Sequence, residues 1–141
     1  TNPLLKEYEF RILNVHPADL TILDESGKRK YVGKNVVARV IADGTKKIRS
    51  TVHLVTRRVD EGPILFVSYP ISLKSTDDPV KVQERMKREC DGPTYDRSLN
   101  FLATTRTRVW GLLKKVSERE FRHFSGLEVG NWMMRILVSY E

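Results

Sequence analysis

Asn14-Val15-His16 sets an amide and an imidazole two residues apart. On a strand, residues at that spacing point to one face, so the two side chains project together. At a strand end they can enter a cleft. There an amide N–H stabilises an oxyanion, and an imidazolium does the same or passes a proton. A carboxylate is available in Val59-Asp60-Glu61-Gly62-Pro63, a loop bounded by Gly and Pro. Beside an imidazole, a carboxylate favours the imidazolium and can order a water. Asn14, His16 and Asp60 are therefore candidate catalytic residues. Each also has a plainer reading. Asn14 can satisfy a strand end, His16 can pack in a turn, and Asp60 can be a turn residue. Cys90, the single cysteine, reads as a partly buried thiol rather than a nucleophile, and no Cys-rich pattern asks for a metal.

The elements that must position these groups follow from periodicity. Residues 10–16 read as a buried strand that stops at Pro17, which lacks a backbone N–H. Ligands bind at the carboxyl ends of strands in open α/β sheets, which is where Asn14 and His16 fall. Residues 20–23 and 30–32 flank the turn 24–27 and predict a hairpin. Val36, Val37, Val40 and Ile41 recur at helical spacing, with Asn35 as N-cap and Gly44 as stop. Residues 49–57 and 63–71 read as two strands joined by the loop 58–62, close enough to pair antiparallel.

Asp78-Pro79 opens a helix whose apolar stripe is Val82, Met86 and Cys90, and Asp91-Gly92-Pro93 is expected to end it. A second helix from about Tyr95 is expected to bury Leu99, Leu102, Ala103, Trp110 and Leu113. The apolar run in residues 132–140 fits a final strand or helix equally well. The order is that of one α/β domain with a mixed sheet flanked by helices. The strand 10–16 would be buried on both faces, and the chain supplies few neighbours for it. An N-terminal half is therefore expected to be absent.

The 141 residues suffice for one domain with one core. With 40% apolar and 30% charged residues, the chain reads as globular rather than disordered. The longest apolar run, 63–67, falls far short of the ~20 residues of a spanning helix, and no signal peptide opens the chain. A cytoplasmic protein with no membrane partner is expected. The net charge of +7 suits a phosphorylated small substrate as well as nucleic acid. No nucleic-acid motif accompanies it, so nucleic acid is not the expected partner.

Taken together, the order Asn14-Val15-His16-Pro17, a helix, Thr51-Val52-His53-Leu54-Val55, and Val59-Asp60-Glu61-Gly62-Pro63-Ile64-Leu65 resembles the formyltransferases that use 10-formyltetrahydrofolate. The resemblance covers residues 1–90 and is closest to the glycinamide ribonucleotide branch. It implies that Asn14 binds the formyl oxygen, that His16 stabilises a tetrahedral intermediate, and that Asp60 sets the protonation of His16 and of a water. It implies that Val59, Asp60, Glu61 and Gly62 line the folate pterin pocket, and that Glu89 contacts the amine substrate. His53 and Ser50 are candidates for supporting roles. The cosubstrate is then 10-formyltetrahydrofolate, with no metal. The acceptor is a small amine, a phosphorylated ribonucleotide, and a homodimer is a candidate assembly.

Three departures bear on the acceptor more than on the cosubstrate. The family's phosphate-binding Gly-rich loop has no match. A hairpin at residues 21–32 is inserted before Gly33. Asn35 stands where the branch often has His. The alternatives are a hydrolase that releases formate from the same cosubstrate, a methionyl-tRNA formyltransferase, and, from another class, a folate- or nucleic-acid-binding module without turnover. Pro17, where the hydrolase branch tends to place a second His, favours transfer.

Overall fold

The computed structural model describes residues 3–8 and 11–113. It opens with a one-turn helix, α1 (Pro3–Glu7), which begins on a proline as first helical turns tolerate. Strand β1 (Leu13–His16) is shorter than the sequence suggests but ends, as expected, before Pro17. Helix α2 (Val36–Ala42) buries Val36, Val37, Val40 and Ile41, and Gly44 closes it at φ 69° with its N–H on the Ile41 carbonyl. Asn35 does not cap it. Its side chain makes no capping bond, and its backbone sits in the left-handed region at φ 54°, which Asn tolerates better than most residues.

Strand β3 (Thr51–Leu54) lies between β1 and β4 (Ile64–Val67), both antiparallel to it. All four β3 residues are buried, because both faces are covered. Val52 lies opposite Phe66 of β4, whose ring meets Phe101 edge-on at 5.5 Å, so this face packs on a long helix. On the other face Thr51 Oγ1 donates to Ala18 O and accepts from Leu20 N, tying down the loop that follows His16.

The expected single strand 63–71 is two strands in different sheets. Pro70 interrupts the ladder, and β5 (Ile71–Ser72) pairs instead with β2 (Lys47–Ile48). The expected hairpin at 21–32 is reduced to one antiparallel bridge, Leu23 opposite Arg29. Its tip is held by Asp24, whose carboxylate accepts from Ser26 N, Ser26 Oγ and Lys28 N. These bonds, that of Ser26 Oγ first, hold the Asp24 carboxyl below its ordinary range.

Helix α3 (Pro79–Met86) starts as the sequence predicts, with Pro79 at its first position and Asp78 Oδ1 accepting from Val80 N and Lys81 N. Val82, Met86 and Cys90 join Tyr31, Val36, Val37, Val40, Ile41, Ile48 and Leu73 in one apolar core. Burial pushes the Cys90 thiol up in pKa, which fits a packing residue rather than a nucleophile.

Asp91-Gly92-Pro93 does not end the helix. Residues Lys87–Asp91 widen into a π turn, in which Gly92 N–H bonds the Lys87 carbonyl, and α4 (Gly92–Leu113) continues from it. Widening the turn is one way for a helix to run past a residue with no N–H to donate. The expected burial on α4 is also revised. Leu99 and Ala103 are exposed, Leu102 is half-buried, and Thr94 and Ser98 are buried in their place. The side chains of Trp110 and Leu113, and the run 132–140, lie outside the described residues.

Candidate active site

The β1–β3 register sets the site. Asn14 lies opposite His53, and His16 opposite Thr51. Asn14 Nδ2 donates to His53 Nε2 at 3.1 Å. The other ring nitrogen of His53 donates to Leu54 O at 2.9 Å, which leaves Nε2 as the acceptor that Asn14 needs. Burial pushes His53 below its ordinary pKa, against the Leu54 carbonyl and Asp60, and keeps this ring neutral. One amide hydrogen of Asn14 is thereby committed, and the orientation of the group is fixed. The amide oxygen and second hydrogen of the half-buried Asn14 have no partner among the described residues.

Asp60 enters from the loop after β3. Its Oδ2 lies 3.4 Å from His16 Nδ1, and its Oδ1 lies 3.5 Å from His53 Nε2. Gly33 N–H donates to Oδ2 at 2.8 Å. The loop residue itself is strained, with φ 55° in the left-handed region, at a cost of about 1 kcal/mol. His16 is buried, and its Nε2 donates to Tyr31 O at 2.6 Å. A carbonyl on one nitrogen and a carboxylate on the other give both N–H groups of an imidazolium an acceptor. A direct bond from Nε2 to a ligand requires leaving Tyr31 O.

The structure thus brings Asn14, His16, Asp60 and His53 together. Val59 and Glu61 flank Asp60 on the surface, Val59 at 73% exposure, and Glu61 Oε2 pairs with Arg58 at 3.2 Å. Gly62 is buried against Leu54 O, where no side chain fits. Two candidates lie elsewhere. Ser50 Oγ donates to Asp91 Oδ1 on the π turn at 2.5 Å, so it is tied to the helix and not to the cluster. Glu89 is exposed on the same turn. His123 lies outside the described residues.

Three contributors were not legible in the sequence: the Tyr31 carbonyl, the Gly33 N–H, and Arg29, whose guanidinium reaches the Asp60 loop. All lie in residues 29–33, the stretch that follows the single bridge at Arg29. Among the described residues no cluster of His, Cys, Asp and Glu is arranged to hold a metal ion, and no helix is long and apolar enough to cross a membrane.

An amide, an imidazole and a carboxylate gathered on a sheet, with helices flanking it, define an α/β protein whose site can bind and polarise a carbonyl group. Residues 1–92 match the family model described as formyl transferase, and the chain belongs to that family. It is 36% identical over 83 residues to a phosphoribosylglycinamide formyltransferase of Mycobacterium tuberculosis, a stretch covering 59% of this chain and 34% of that protein. Its fold matches the crystal structure of a glycinamide ribonucleotide transformylase 1 from Symbiobacterium toebii with a TM-score of 0.64 at 27% identity, over 75% of this chain and 45% of that one. It also matches a formyltetrahydrofolate deformylase from Pseudomonas syringae pv. tomato, with a TM-score of 0.55 at 25% identity, over 68% of this chain and 29% of that one. The chain therefore spans less than half the length of these relatives. The resemblance to the glycinamide ribonucleotide branch is borne out by the first two.

Proposed function

We propose that this chain is the catalytic half of a cytoplasmic enzyme that moves the formyl group of 10-formyltetrahydrofolate to the amine of glycinamide ribonucleotide. The observation that carries the reading is the convergence of Asn14, His16 and Asp60 within a chain of this family. As an amine attacks the formyl carbon, negative charge grows on the formyl oxygen. The uncommitted N–H of Asn14 answers that charge, and removing one such donor typically costs ~10²–10³ in rate. In its protonated form His16 stabilises the tetrahedral intermediate from a buried position, and Asp60 accepts the proton released by the attacking amine, which a water returns to N10 of the folate as the formyl C–N10 bond breaks. Val59 and Glu61, exposed on either side of Asp60, offer an edge for the pterin ring. Glu89, exposed on the π turn, is available to the amine substrate.

The likeness to the deformylase supports a second reading in which water is the acceptor. The two separate by one assay on the full-length protein. Conversion of 10-formyltetrahydrofolate to tetrahydrofolate is followed by absorbance, with and without glycinamide ribonucleotide, alongside Asp60→Asn. Turnover that needs the amine and is lost in the variant supports transfer. Turnover without the amine makes the protein a hydrolase. Cosubstrate binding with no turnover under either condition sinks both readings and leaves a binding module.

A further inference from the structure

The hairpin segment that ends at Gly33 contributes to the site at three points. Its return arm, residues 29–33, bends away after the single bridge at Arg29. Lys30 O and Val32 O both accept from Arg39 of α2, at 2.7 and 2.8 Å. Tyr31 O, between them, accepts from His16 Nε2 at 2.6 Å. The arm is tied to the end of α2 a second time, because Asp43 Oδ2 accepts from Lys30 Nζ at 2.7 Å and from Tyr31 OH at 3.0 Å. Gly33, where the arm ends, donates its N–H to the Asp60 carboxylate.

Arg29 stands at the start of this anchored arm, opposite Leu23 in the hairpin bridge. One guanidinium nitrogen, Nη1, donates to Asp60 O at 2.6 Å and to Gly62 O at 2.9 Å. These two carbonyls bracket the turn whose first residue, Asp60, holds a left-handed backbone. We infer that Arg29 is a positioning residue: it pins the Asp60–Gly62 turn to the inserted hairpin in the backbone geometry that aims the Asp60 carboxylate at His16 and His53. Burial lowers the pKa of the guanidinium, against the neighbouring Glu61 and Asp60 carboxylates, so this cation is partly desolvated and is not a solvated surface charge. Two hydrogens of a single nitrogen serve two carbonyls of one turn, so their loss frees the loop at both ends together. The hairpin then acts as a rigid strut from α2 to the site rather than as a surface ornament.

The catalytic consequence rests on the formyl-transfer reading above. The test compares Arg29→Met, which keeps an apolar stem, and Arg29→Lys in the full-length protein. Two quantities are read: steady-state formyl transfer from 10-formyltetrahydrofolate to glycinamide ribonucleotide, and amide hydrogen exchange at Gly33, Glu61, Val40 and Ile41. Arg29→Met should lower kcat by about 10–100-fold with the KM for the amine within about twofold. Exchange at Gly33 and Glu61 should quicken about tenfold while Val40 and Ile41 in α2 stay protected. Arg29→Lys, which keeps a cation on a shorter reach, should recover part of both effects. Wild-type kcat and wild-type Gly33 exchange in Arg29→Met would overturn the inference. So would loss of protection spreading through α2, which would make Arg29 a residue of the fold. A wild-type protein with no turnover at all would sink the formyl-transfer reading alone, because exchange at Gly33 and Glu61 still reports whether Arg29 holds the turn.

Discussion

Asn14 and His53 face each other across the β1–β3 register, and the amide of one donates to the ring nitrogen of the other at 3.1 Å. The pair makes a neutral histidine the support of an amide donor. His53 Nδ1 donates to Leu54 O, so in the neutral ring Nε2 accepts. Asn14 is thereby locked with one N–H inward, and its remaining N–H is the group that the proposed chemistry uses.

Replacing His53 should therefore reduce activity without touching substrate. His53→Phe fills the space but removes the acceptor, and kcat should fall about tenfold, equivalent to roughly 1.4 kcal/mol of lost transition-state stabilisation. His53→Gln, which can still accept from Asn14, should retain more. Steady-state kinetics of both variants with circular dichroism as a folding control checks this. Equal activity in His53→Phe and wild type would show that Asn14 needs no support.

Asp60→Asn removes the charge while keeping a side chain that tolerates the left-handed backbone and can still accept from Gly33 N–H. Folding stability should change little, and kcat should fall by about 10² or more. Thermal denaturation beside the formyl-transfer assay separates the two effects. A variant that loses stability and activity in parallel would mean that the carboxylate serves the loop and not the reaction.

The buried His53 also predicts a pH dependence of stability. Burial depresses its folded pKa below the ordinary imidazole value of 6.5, so an unfolded chain takes up a proton that the folded chain refuses. This contribution is fully present above pH 6.5 and is lost as pH falls below it, with a limiting slope of about 1.4 kcal/mol per pH unit. Urea denaturation of wild type and His53→Gln between pH 7.5 and 5 should give the steeper fall for wild type. Parallel curves would show that His53 ionises as freely in the folded protein as in the unfolded one.

Two glycines of the loops should respond differently to alanine. A Cβ at Gly62 would sit 1.7 Å from Leu54 O, and relief would require breaking the Leu54–Pro63 ladder bond. Gly62→Ala should cost roughly 4 kcal/mol or more, at the extreme end of single substitutions. At Gly27 nothing lies within 4 Å of the added carbon, and only the φ of 75° opposes it. Gly27→Ala should cost about 1 kcal/mol. Chemical denaturation of the two variants measures the difference.

How much of this was legible in advance differs element by element. Asp78-Pro79 announced the start of α3, because capping and a missing N–H act within a few residues. Val36, Val37, Val40 and Ile41 announced the buried face of α2 for the same local reason. Asp91-Gly92-Pro93 misled, because a π turn carries the helix past Pro93, and the turn's Asp91 bonds Ser50, a residue distant in sequence. Asn35 misled because its left-handed backbone belongs to the loop that enters α2, and a capping residue type does not reveal its own φ.

By itself the sequence determined that Asn14 and His16 share a strand face and that an Asp lies in a Gly-Pro-bounded loop, since side-chain period and turn chemistry are local properties. It also carried the family pattern, because the order of separated motifs survives in one dimension. Tertiary structure alone decided that His53 supports Asn14, that Tyr31 O and Gly33 N–H hold His16 and Asp60, and that Arg29 reaches the Asp60 loop. Strand register places the first of these, and it depends on pairing across 39 residues. The next two are backbone groups, a carbonyl that every residue carries and an N–H that every residue but proline carries, and they therefore leave no mark in the sequence until the chain is folded.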